Sequence, residues 1–332
     1  MKNNHSEQNQ NAHPFHSLIE LYKDHIDVGI KTKRSYESIL KQFAYYLQAN
    51  KVMTPKRQDI IKFRDYMVQI GQSANTIQKT ILVIKSFYRF LKMNYQLYNL
   101  DPSYIYDITE GIRSARVSKR LKRLPLTLEQ AQLLLKAAKL NCISISGYRN
   151  YAIILLMITT GLRGIEIIRA KKKDLAKMGN ISILFVQGKG RQESDEFVKI
   201  SQVVTNAFND YLNMRSDNSR YLFVSHSSHT SAQQLSTYQL NKMMKENLKR
   251  AGIPDFKLTI HSLRHTAATF NLLRGGSIEA TQALLRHQSI ETTMIYLHHI
   301  NRVKDDSEFQ IERYILDDSK KKESADESKS ST

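Results

Sequence analysis

The sequence contains few of the residues on which several classes of protein depend. A single cysteine, Cys142, excludes a disulfide framework and a thiolate zinc site. The longest apolar run, 151–158, has eight residues, whereas a membrane-spanning helix needs roughly twenty. The first residues are rich in asparagine, glutamine and histidine and lack the apolar segment of a secretion signal. We therefore expect a cytoplasmic protein without a membrane anchor.

Negative charge is also scarce. The 50 lysines and arginines face only 31 aspartates and glutamates, which gives a formal net charge of +19 and an isoelectric point near 9.8. This charge predicts a polyanionic partner, and DNA fits better than a membrane. Charge alone also allows a ribosomal protein or another basic protein. Hydrophobic residues make up 41% of the 332 residues, enough for real cores, and the length predicts two domains.

Apolar residues at helical spacing predict an all-helical first domain over 14–102, after a disordered start at 1–13. Apolar stripes within 36–47 and 77–91 predict the core of a helical bundle, and Asp101 with the following proline ends the last helix. DNA contacts would come from the polar faces of these helices. The candidates are Lys31, Lys33, Arg34, Lys79 and Lys85.

A basic segment joins the two predicted domains and forms a linker at 103–123. Its second half contains no acidic residue. Such a run is most often a solvated linker, but between two DNA-binding halves it is equally suited to lie along the phosphate backbone and release counterions. The candidate DNA contacts are Arg113, Arg116, Lys119, Arg120 and Arg123.

The second domain is predicted over 124–316 as mainly α-helical with one small β-hairpin. A capping box from Thr127 to Gln130 begins its first helix, and a buried helix follows at 151–160. Two β-type runs, 181–186 and 196–201, flank a glycine-containing turn and predict the hairpin. The later segments with a helical pattern are 203–214, 235–251, 262–274, 278–286 and 289–298.

Three stretches of the second domain combine arginines, histidines and one late tyrosine. They are Thr160-Gly161-Leu162-Arg163-Gly164-Ile165-Glu166, His261-Ser262-Leu263-Arg264-His265, and Leu285-Arg286-His287 with Tyr296 nine residues further on. Arginines can fork around non-bridging phosphate oxygens, a histidine can move protons near neutral pH, and a tyrosine hydroxyl can become a covalent nucleophile. Enough cationic donors can meet the charge of a pentacoordinate phosphate without a metal. The pattern therefore suits covalent attack on a phosphodiester.

In order and spacing, these stretches resemble the tyrosine recombinase (phage integrase) family, from about Thr32 to about Tyr296. The resemblance implies a two-domain, C-shaped clamp with an N-terminal helical core-binding domain and a C-terminal catalytic domain. It implies a site-specific DNA recombinase that cleaves and rejoins DNA through a 3′-phosphotyrosyl intermediate, without metal, cofactor or ATP. A homotetramer on two duplexes would then integrate, excise or resolve a mobile element or plasmid.

The resemblance also implies how the phosphate is held and attacked. Tyr296 would attack phosphorus while Arg163, Arg264 and His287 bind the non-bridging oxygens. Glu166, three residues after Arg163, can orient it within one helical turn. Neighbouring cations are expected to favour the phenolate and lower the pKa of Tyr296.

Proton transfer would fall to residues on the hairpin and on the helix at 262–274. By the resemblance, Lys189 at the hairpin tip would protonate the leaving 5′-oxygen, with Arg191 as the alternative, and His261 would assist as acid or base. His261 and His265 also have the spacing of zinc ligands, but the glutamate of a His-Glu-x-x-His motif is missing and a cationic arginine between them opposes a metal. We expect His265 to pack or hydrogen-bond locally.

Some alternatives remain open at this stage. The apolar residues within 302–316 predict a helix that either packs on its own domain or, as the resemblance implies, docks on a neighbouring protomer. The tail, 317–332, is expected to be disordered. The function could also be Xer-like resolution of chromosome dimers, DNA relaxation like that of a type IB topoisomerase, or DNA binding without catalysis. The helical first domain and the His-x-x-Arg-His signature favour a recombinase over a topoisomerase, and the presence of all six expected site residues argues against lost activity.

Overall fold

The computed structural model describes residues 15–115, 124–188, 193–253 and 257–316. The chain divides into two compact units, Met1–Lys119 and Arg120–Thr332. This division falls inside the segment predicted to be a linker. Several predicted DNA-contact and general-acid residues lie outside the described residues: Arg116, Lys119, Arg120, Arg123, Lys189 and Arg191. Both segments predicted to be disordered, 1–13 and 317–332, lie there as well.

The first unit is a helical bundle with an aromatic core. Phe15, Phe43, Phe63 and Phe87 are completely buried, and rings such as Phe15 and Phe43 meet edge to face with centroids 6.0 Å apart. Ser73 begins the last helix by accepting a hydrogen bond from the Thr76 amide at 3.2 Å, as an N-cap does. The described helices are α1 (Phe15–His25), α2 (Ile30–Ala49), α3 (Arg57–Gln69) and α4 (Ala74–Asn94).

The second unit is also mainly helical and carries a three-stranded antiparallel sheet. The helices are α5 (Leu128–Leu140), α6 (Ile145–Thr160), α7 (Gly164–Arg169), α8 (Gln202–Asn213), α9 (Thr237–Arg250), α10 (Ile260–Leu273), α11 (Ile278–Leu285) and α12 (Glu291–Lys304). The strands, in sheet order, are β1 (Leu175–Met178), β2 (Ile181–Val186) and β3 (Glu196–Ile200). A further helical segment spans 307–316. The predicted hairpin of β2 and β3 is present, whereas β1 was not predicted.

Helix α6 forms the centre of the second unit. From Ala152 to Ile158 the helix is apolar on all sides and buried, as expected for a helix enclosed by other elements. It begins six residues before the predicted start because Ser144 caps it, accepting a hydrogen bond from the Gly147 amide at 3.2 Å. The packing of α5, α8 and α10 around it fixes the end of α6, from which the candidate site starts. Within the described residues, no helix combines the length and apolarity needed to cross a membrane.

Candidate functional site

The turn after α6 determines where Arg163 lies. Gly161 ends the helix with φ +64°, a left-handed conformation that glycine adopts without strain. A Cβ atom at this position would lie only 2.6 Å from Leu285 Cδ2 at the end of α11. Glycine is therefore favoured by the left-handed backbone, and a larger residue would also press against the buried side chain of Leu285. Two residues later, Arg163 is the N-cap of α7, and its amide donates to Glu166 Oε2 at 2.7 Å.

Glu166 is a buried carboxylate that holds two arginines. Arg163 Nη1 donates to Oε1 at 3.0 Å, which is the predicted contact, and Arg286 Nη2 donates to Oε2 at 2.9 Å. Arg163 Nη2 also donates to the carbonyl of Arg286 at 3.3 Å. A buried carboxylate needs such partners, because an unpaired charge in the interior is strongly unfavourable. Glu166 thus shares its negative charge between the two guanidinium groups of Arg163 and Arg286.

Arg264 lies at the start of the second turn of α10 and is 5% exposed. Its Nη1 donates to the carbonyl of Gly161 at 2.6 Å, and its Nη2 to the carbonyl of Leu285 at 2.5 Å. Burial, followed by the positive charge of Arg163, lowers the pKa of Arg264 to about 10, so the side chain remains charged at neutral pH. The two carbonyls fix the guanidinium in place without neutralising it, which suits it to bind an anion.

His287 follows the end of α11, and its Nδ1 shares a hydrogen bond of 2.8 Å with the buried hydroxyl of Thr293 on α12. Burial, followed by the charges of Arg264 and Arg163, lowers the pKa of His287 to about 4. Near neutral pH the ring is therefore uncharged and does not titrate. Because the unfolded chain binds the proton more tightly, this group makes stability fall as the pH drops from about 6.5 to about 4.

Tyr296 is 4% exposed and packs with Ala268 and Leu285. Its hydroxyl shares a hydrogen bond of 2.7 Å with Nδ1 of His265. Burial raises the pKa of Tyr296, and the opposing charges of Arg264 and Arg163 are the smaller effects. The expectation of a lowered pKa is therefore wrong for the protein without DNA, because the desolvation of the phenolate outweighs the nearby cations.

The histidines of α10 differ in their surroundings. His261, in the first turn, is exposed, whereas Arg264, three residues later on the same helical face, is buried. His265 was predicted to pack or to hydrogen-bond locally; its ring packs against that of Tyr296, with centroids 5.4 Å apart, and the two side chains share a hydrogen bond although they lie 31 residues apart in sequence. Among the described residues, no group of three or more His, Cys, Asp or Glu side chains could hold a metal ion.

A cavity of about 820 Å³ opens beside these residues. Arg163, Arg286 and His287 line it, and Gly188 and Glu196 bring the base of the β2–β3 hairpin to its edge. The predicted general acids of the hairpin tip lie outside the described residues. The site residues that sequence reasoning missed are Arg286, Thr293 and the partnership of His265 with Tyr296. Arg286 stood next to a predicted residue, but neither its charge nor its spacing indicated its contacts.

Six of the predicted DNA contacts lie among the described residues of the first unit: Lys31, Lys33, Arg34, Lys79, Lys85 and Arg113. Arg34 on α2 and Lys79 on α4 are both exposed. Lys79 Nζ donates to the hydroxyl of Ser35 at 2.5 Å, which places it beside the helix that carries Arg34. Arg113 is exposed, and its carbonyl accepts a hydrogen bond from Arg64 Nη1 at 3.2 Å.

Comparison with known proteins finds relatives that extend over both units. The phage integrase N-terminal SAM-like domain matches residues 20–94. Tyrosine recombinase XerD of Halalkalibacterium halodurans is 30% identical over 279 residues, covering 80% of this chain and 86% of the relative. Tyrosine recombinase XerA of Pyrococcus furiosus is 28% identical over 267 residues, covering 80% and 83%.

Solved structures share the fold. XerH site-specific recombinase bound to palindromic difH substrate, in a post-cleavage complex, superimposes with a TM-score of 0.70 at 20% identity, covering 88% of this chain and 84% of that one. A lambda integrase (75–356) dimer bound to a COC′ core site gives 0.62 at 16% identity, covering 83% and 95%. The phage integrase family model matches residues 125–302, the part of the chain in which the turns after α6 and α11 meet around Arg264. The chain therefore belongs to the phage integrase family of tyrosine recombinases.

Proposed function

We propose that this protein is a site-specific DNA recombinase that cleaves and rejoins DNA through a 3′-phosphotyrosyl intermediate, without metal or ATP. The observation that carries the proposal is the convergence of Arg163, Arg264 and His287 around the turn that ends α11, with the charges of both arginines acting on the hydroxyl of Tyr296. A cationic site beside a tyrosine hydroxyl has the donors and the nucleophile that phosphoryl transfer needs.

Residues of this chain can supply every bond and proton transfer that the proposed reaction needs. The Tyr296 oxygen forms a bond to phosphorus as the bond from phosphorus to the 5′-oxygen breaks, and Arg163 and Arg264 bind the non-bridging oxygens. Neutral His287 donates its N–H to one of them. The phenol proton passes to His265 Nδ1, which is already hydrogen-bonded to it, and the 5′-oxygen takes a proton from Lys189. The 5′-hydroxyl of a second strand then reverses the reaction, so the energy of the phosphodiester is conserved.

The substrate in this proposal is double-stranded DNA carrying specific recombination sites, and the reaction takes place in the cytoplasm. The formal net charge of +19 supports a polyanionic partner. In the first unit, exposed Arg34 and Lys79 are the proposed phosphate contacts, together with Arg113 and the rest of the basic segment. The role is integration, excision or resolution of a mobile element or plasmid. Relatives named XerD and XerA favour an Xer-like role as the alternative.

The experiment that tests the proposal uses nicked DNA carrying the repeats that flank the gene. A nick beside the scissile phosphate lets the short 5′-terminated product diffuse away, so the covalent complex accumulates. We expect a slowly migrating protein–DNA band in the presence of EDTA, with the protein joined to the 3′ end of the cleaved strand. Linkage to a 5′ end, or a band that requires a divalent metal, would contradict the proposal, as would tight site-specific binding without any covalent product.

The general acid can be identified with a modified substrate. A sulfur atom in place of the bridging 5′-oxygen makes a leaving group that needs no proton. If Lys189 is the acid, Lys189→Ala should cleave the oxygen substrate ~10²- to 10⁴-fold more slowly than wild type and recover most of that loss on the sulfur substrate. Arg191→Ala is the matched variant and should show no such recovery. If only Arg191→Ala recovers its cleavage rate on the sulfur substrate, Arg191 is the general acid instead.

We further propose that the protein acts as a homotetramer on two duplexes and that the segment 307–316 docks on a neighbouring protomer. Its large apolar side chains are 53% to 76% exposed: Phe309, Ile311, Tyr314, Ile315 and Leu316. The second unit has an apolar groove of about 760 Å³ between its first residues and helices α10 and α12, with Leu126, Phe270 and Ile300 in its lining. Exposed apolar patches of this kind favour protein contacts. The stoichiometry of the complex assembled on paired sites measures this directly.

A further inference from the structure

Arg286 occupies a backbone position that is unfavourable for an arginine. It ends α11 with φ +53° and ψ +49°, the left-handed conformation. Helices often end in this conformation, and the residue there is usually glycine because a Cβ atom introduces strain. The strain of a left-handed arginine must be offset by other interactions, so the contacts of its side chain are informative.

The side chain of Arg286 is buried in the site rather than solvated. It is 8% exposed, its Nη2 donates to Glu166 Oε2 at 2.9 Å, and its Nη1 donates to the carbonyl of Leu284 at 3.0 Å. Its Nε lies 3.6 Å from Glu196 Oε2 and, within the described residues, has no hydrogen-bond partner. A buried N–H without a partner is costly. Strain and an unsatisfied donor are therefore both tolerated at this residue.

The same turn holds both arginines of the proposed phosphate site. The carbonyl of Leu285 accepts from Arg264, and the carbonyl of Arg286 accepts from Arg163. The side chain of Arg286 then returns to Glu166, the carboxylate that orients Arg163. Arg163, Glu166 and Arg286 thus form a closed loop of three contacts.

Arg286 also reaches the hairpin. Glu196 is the first residue of β3, so it follows directly on the loop that contains the predicted general acid. Arg286 and Glu196 both line the cavity with Arg163 and Gly188. One guanidinium therefore lies between the carboxylate that orients a phosphate-binding arginine and the strand that leaves the hairpin tip.

We propose that Arg286 is a positioning residue that fixes Arg163 through Glu166 and ties the base of the β2–β3 hairpin to the phosphate site through Glu196. The proposal rests on the proposed function, because its effect is on DNA cleavage. Arg286 makes no bond to the reacting atoms. It sets the direction of the Arg163 guanidinium and the distance between that group and the hairpin, and misplacement of such groups by about an ångström can cost on the order of a hundredfold in rate.

The test is Arg286→Gly, which removes the side chain and suits the left-handed backbone. We expect a melting temperature that stays within a few degrees of wild type, an unchanged Kd for the DNA site, and a single-turnover cleavage rate on saturating nicked DNA that falls ~10- to 100-fold. Guanidinium ion at millimolar concentration should restore part of the rate by occupying the vacated space, and Arg286→Lys should retain more activity than the glycine variant. Glu196→Gln should slow wild type but have little further effect on Arg286→Gly, because the two residues would act through one contact.

The matched control is Lys51→Gly. Lys51 is also a cation with a left-handed backbone, φ +55°, but its side chain is exposed and it lies in the first unit. This variant should leave cleavage unchanged. If wild type cleaves and Arg286→Gly cleaves at the same rate, the positioning role is wrong while the proposed function stands. The positioning role is also wrong if Arg286→Gly loses both cleavage rate and melting temperature and guanidinium ion does not restore the rate. If wild type itself forms no covalent product, the proposed function fails and the role of Arg286 fails with it.

Discussion

Replacement of Tyr296 by phenylalanine is expected to abolish the covalent complex with DNA and to leave DNA binding nearly unchanged. The substitution removes one oxygen atom, the proposed nucleophile, and keeps the ring that packs against Ala268 and Leu285. It also removes the hydrogen bond to His265, and the loss of one such bond should lower the free energy of unfolding by about 1 kcal/mol. The variant should therefore remain folded at working temperatures.

The measurement compares wild type and Tyr296→Phe on the same nicked DNA, with a mobility shift for binding and a denaturing gel for covalent product. Tyr238→Phe is the control. Tyr238 is 74% exposed on α9, so the loss of its hydroxyl should affect neither assay. A covalent band that persists in Tyr296→Phe would show that another residue is the nucleophile. A loss of the band together with a loss of DNA binding would point to a structural role for Tyr296.

The raised pKa of Tyr296 means that its hydroxyl must lose a proton during the reaction. Burial raises the pKa of Tyr296 above that of a free phenol, and the hydrogen bond to His265 holds the hydroxyl inside the second unit. A phenol is a weak nucleophile until a base takes its proton. The reaction thus needs proton transfer at the moment of attack, which makes the contact with His265 part of the proposed chemistry.

Helix starts could be predicted from the sequence where they depend on residues close to each other in the chain. Ser73 caps α4, and the predicted capping box at the start of α5 is formed, with Thr127 and Gln130 exchanging hydrogen bonds of 3.1 and 3.2 Å. These contacts depend on residues three positions apart, so the sequence contains them. Strand β1 has no comparable signal. Its four residues, Leu-Ala-Lys-Met, show no alternation of burial, and the strand exists because β2 offers it a partner.

The residues of the proposed site were selected from the sequence, but their contacts could not be predicted from it. Spacing selected Arg163, Arg264, His287 and Tyr296, because a motif fixes residue types at intervals. It could not show that Arg264 binds the carbonyls of two turns 103 and 21 residues away in sequence. Burial is a property of the packed unit, and for that reason the direction of the Tyr296 pKa was predicted wrongly. The left-handed backbone of Arg286 is likewise visible only once α11 and its turn are folded.

Arg264→Lys is expected to reduce DNA cleavage on the order of 10²- to 10³-fold, the effect of removing a preorganised donor to a developing oxyanion. Lysine keeps the positive charge, but its single ammonium replaces a planar fork with fixed donor directions. The guanidinium uses two of its nitrogens to reach the carbonyls of Gly161 and Leu285 and remains charged toward the site. An ammonium that binds one of these carbonyls leaves the other buried acceptor unpaired, which costs about 1–3 kcal/mol of stability.

The control for Arg264→Lys must be another buried arginine that donates to a backbone carbonyl but lies outside the proposed site, so that its replacement lowers stability alone. Arg149 meets this requirement, because burial lowers its pKa and its Nη1 donates to the carbonyl of Val224 at 2.8 Å. Arg149→Lys should shift the melting temperature about as much as Arg264→Lys does and still cleave DNA within a few-fold of wild type. Single-turnover rates on nicked DNA, measured well below both melting temperatures, separate the two effects. Equal losses of cleavage in both variants would mean that Arg264 acts only through stability, whereas a loss confined to Arg264→Lys requires its guanidinium in the reaction itself.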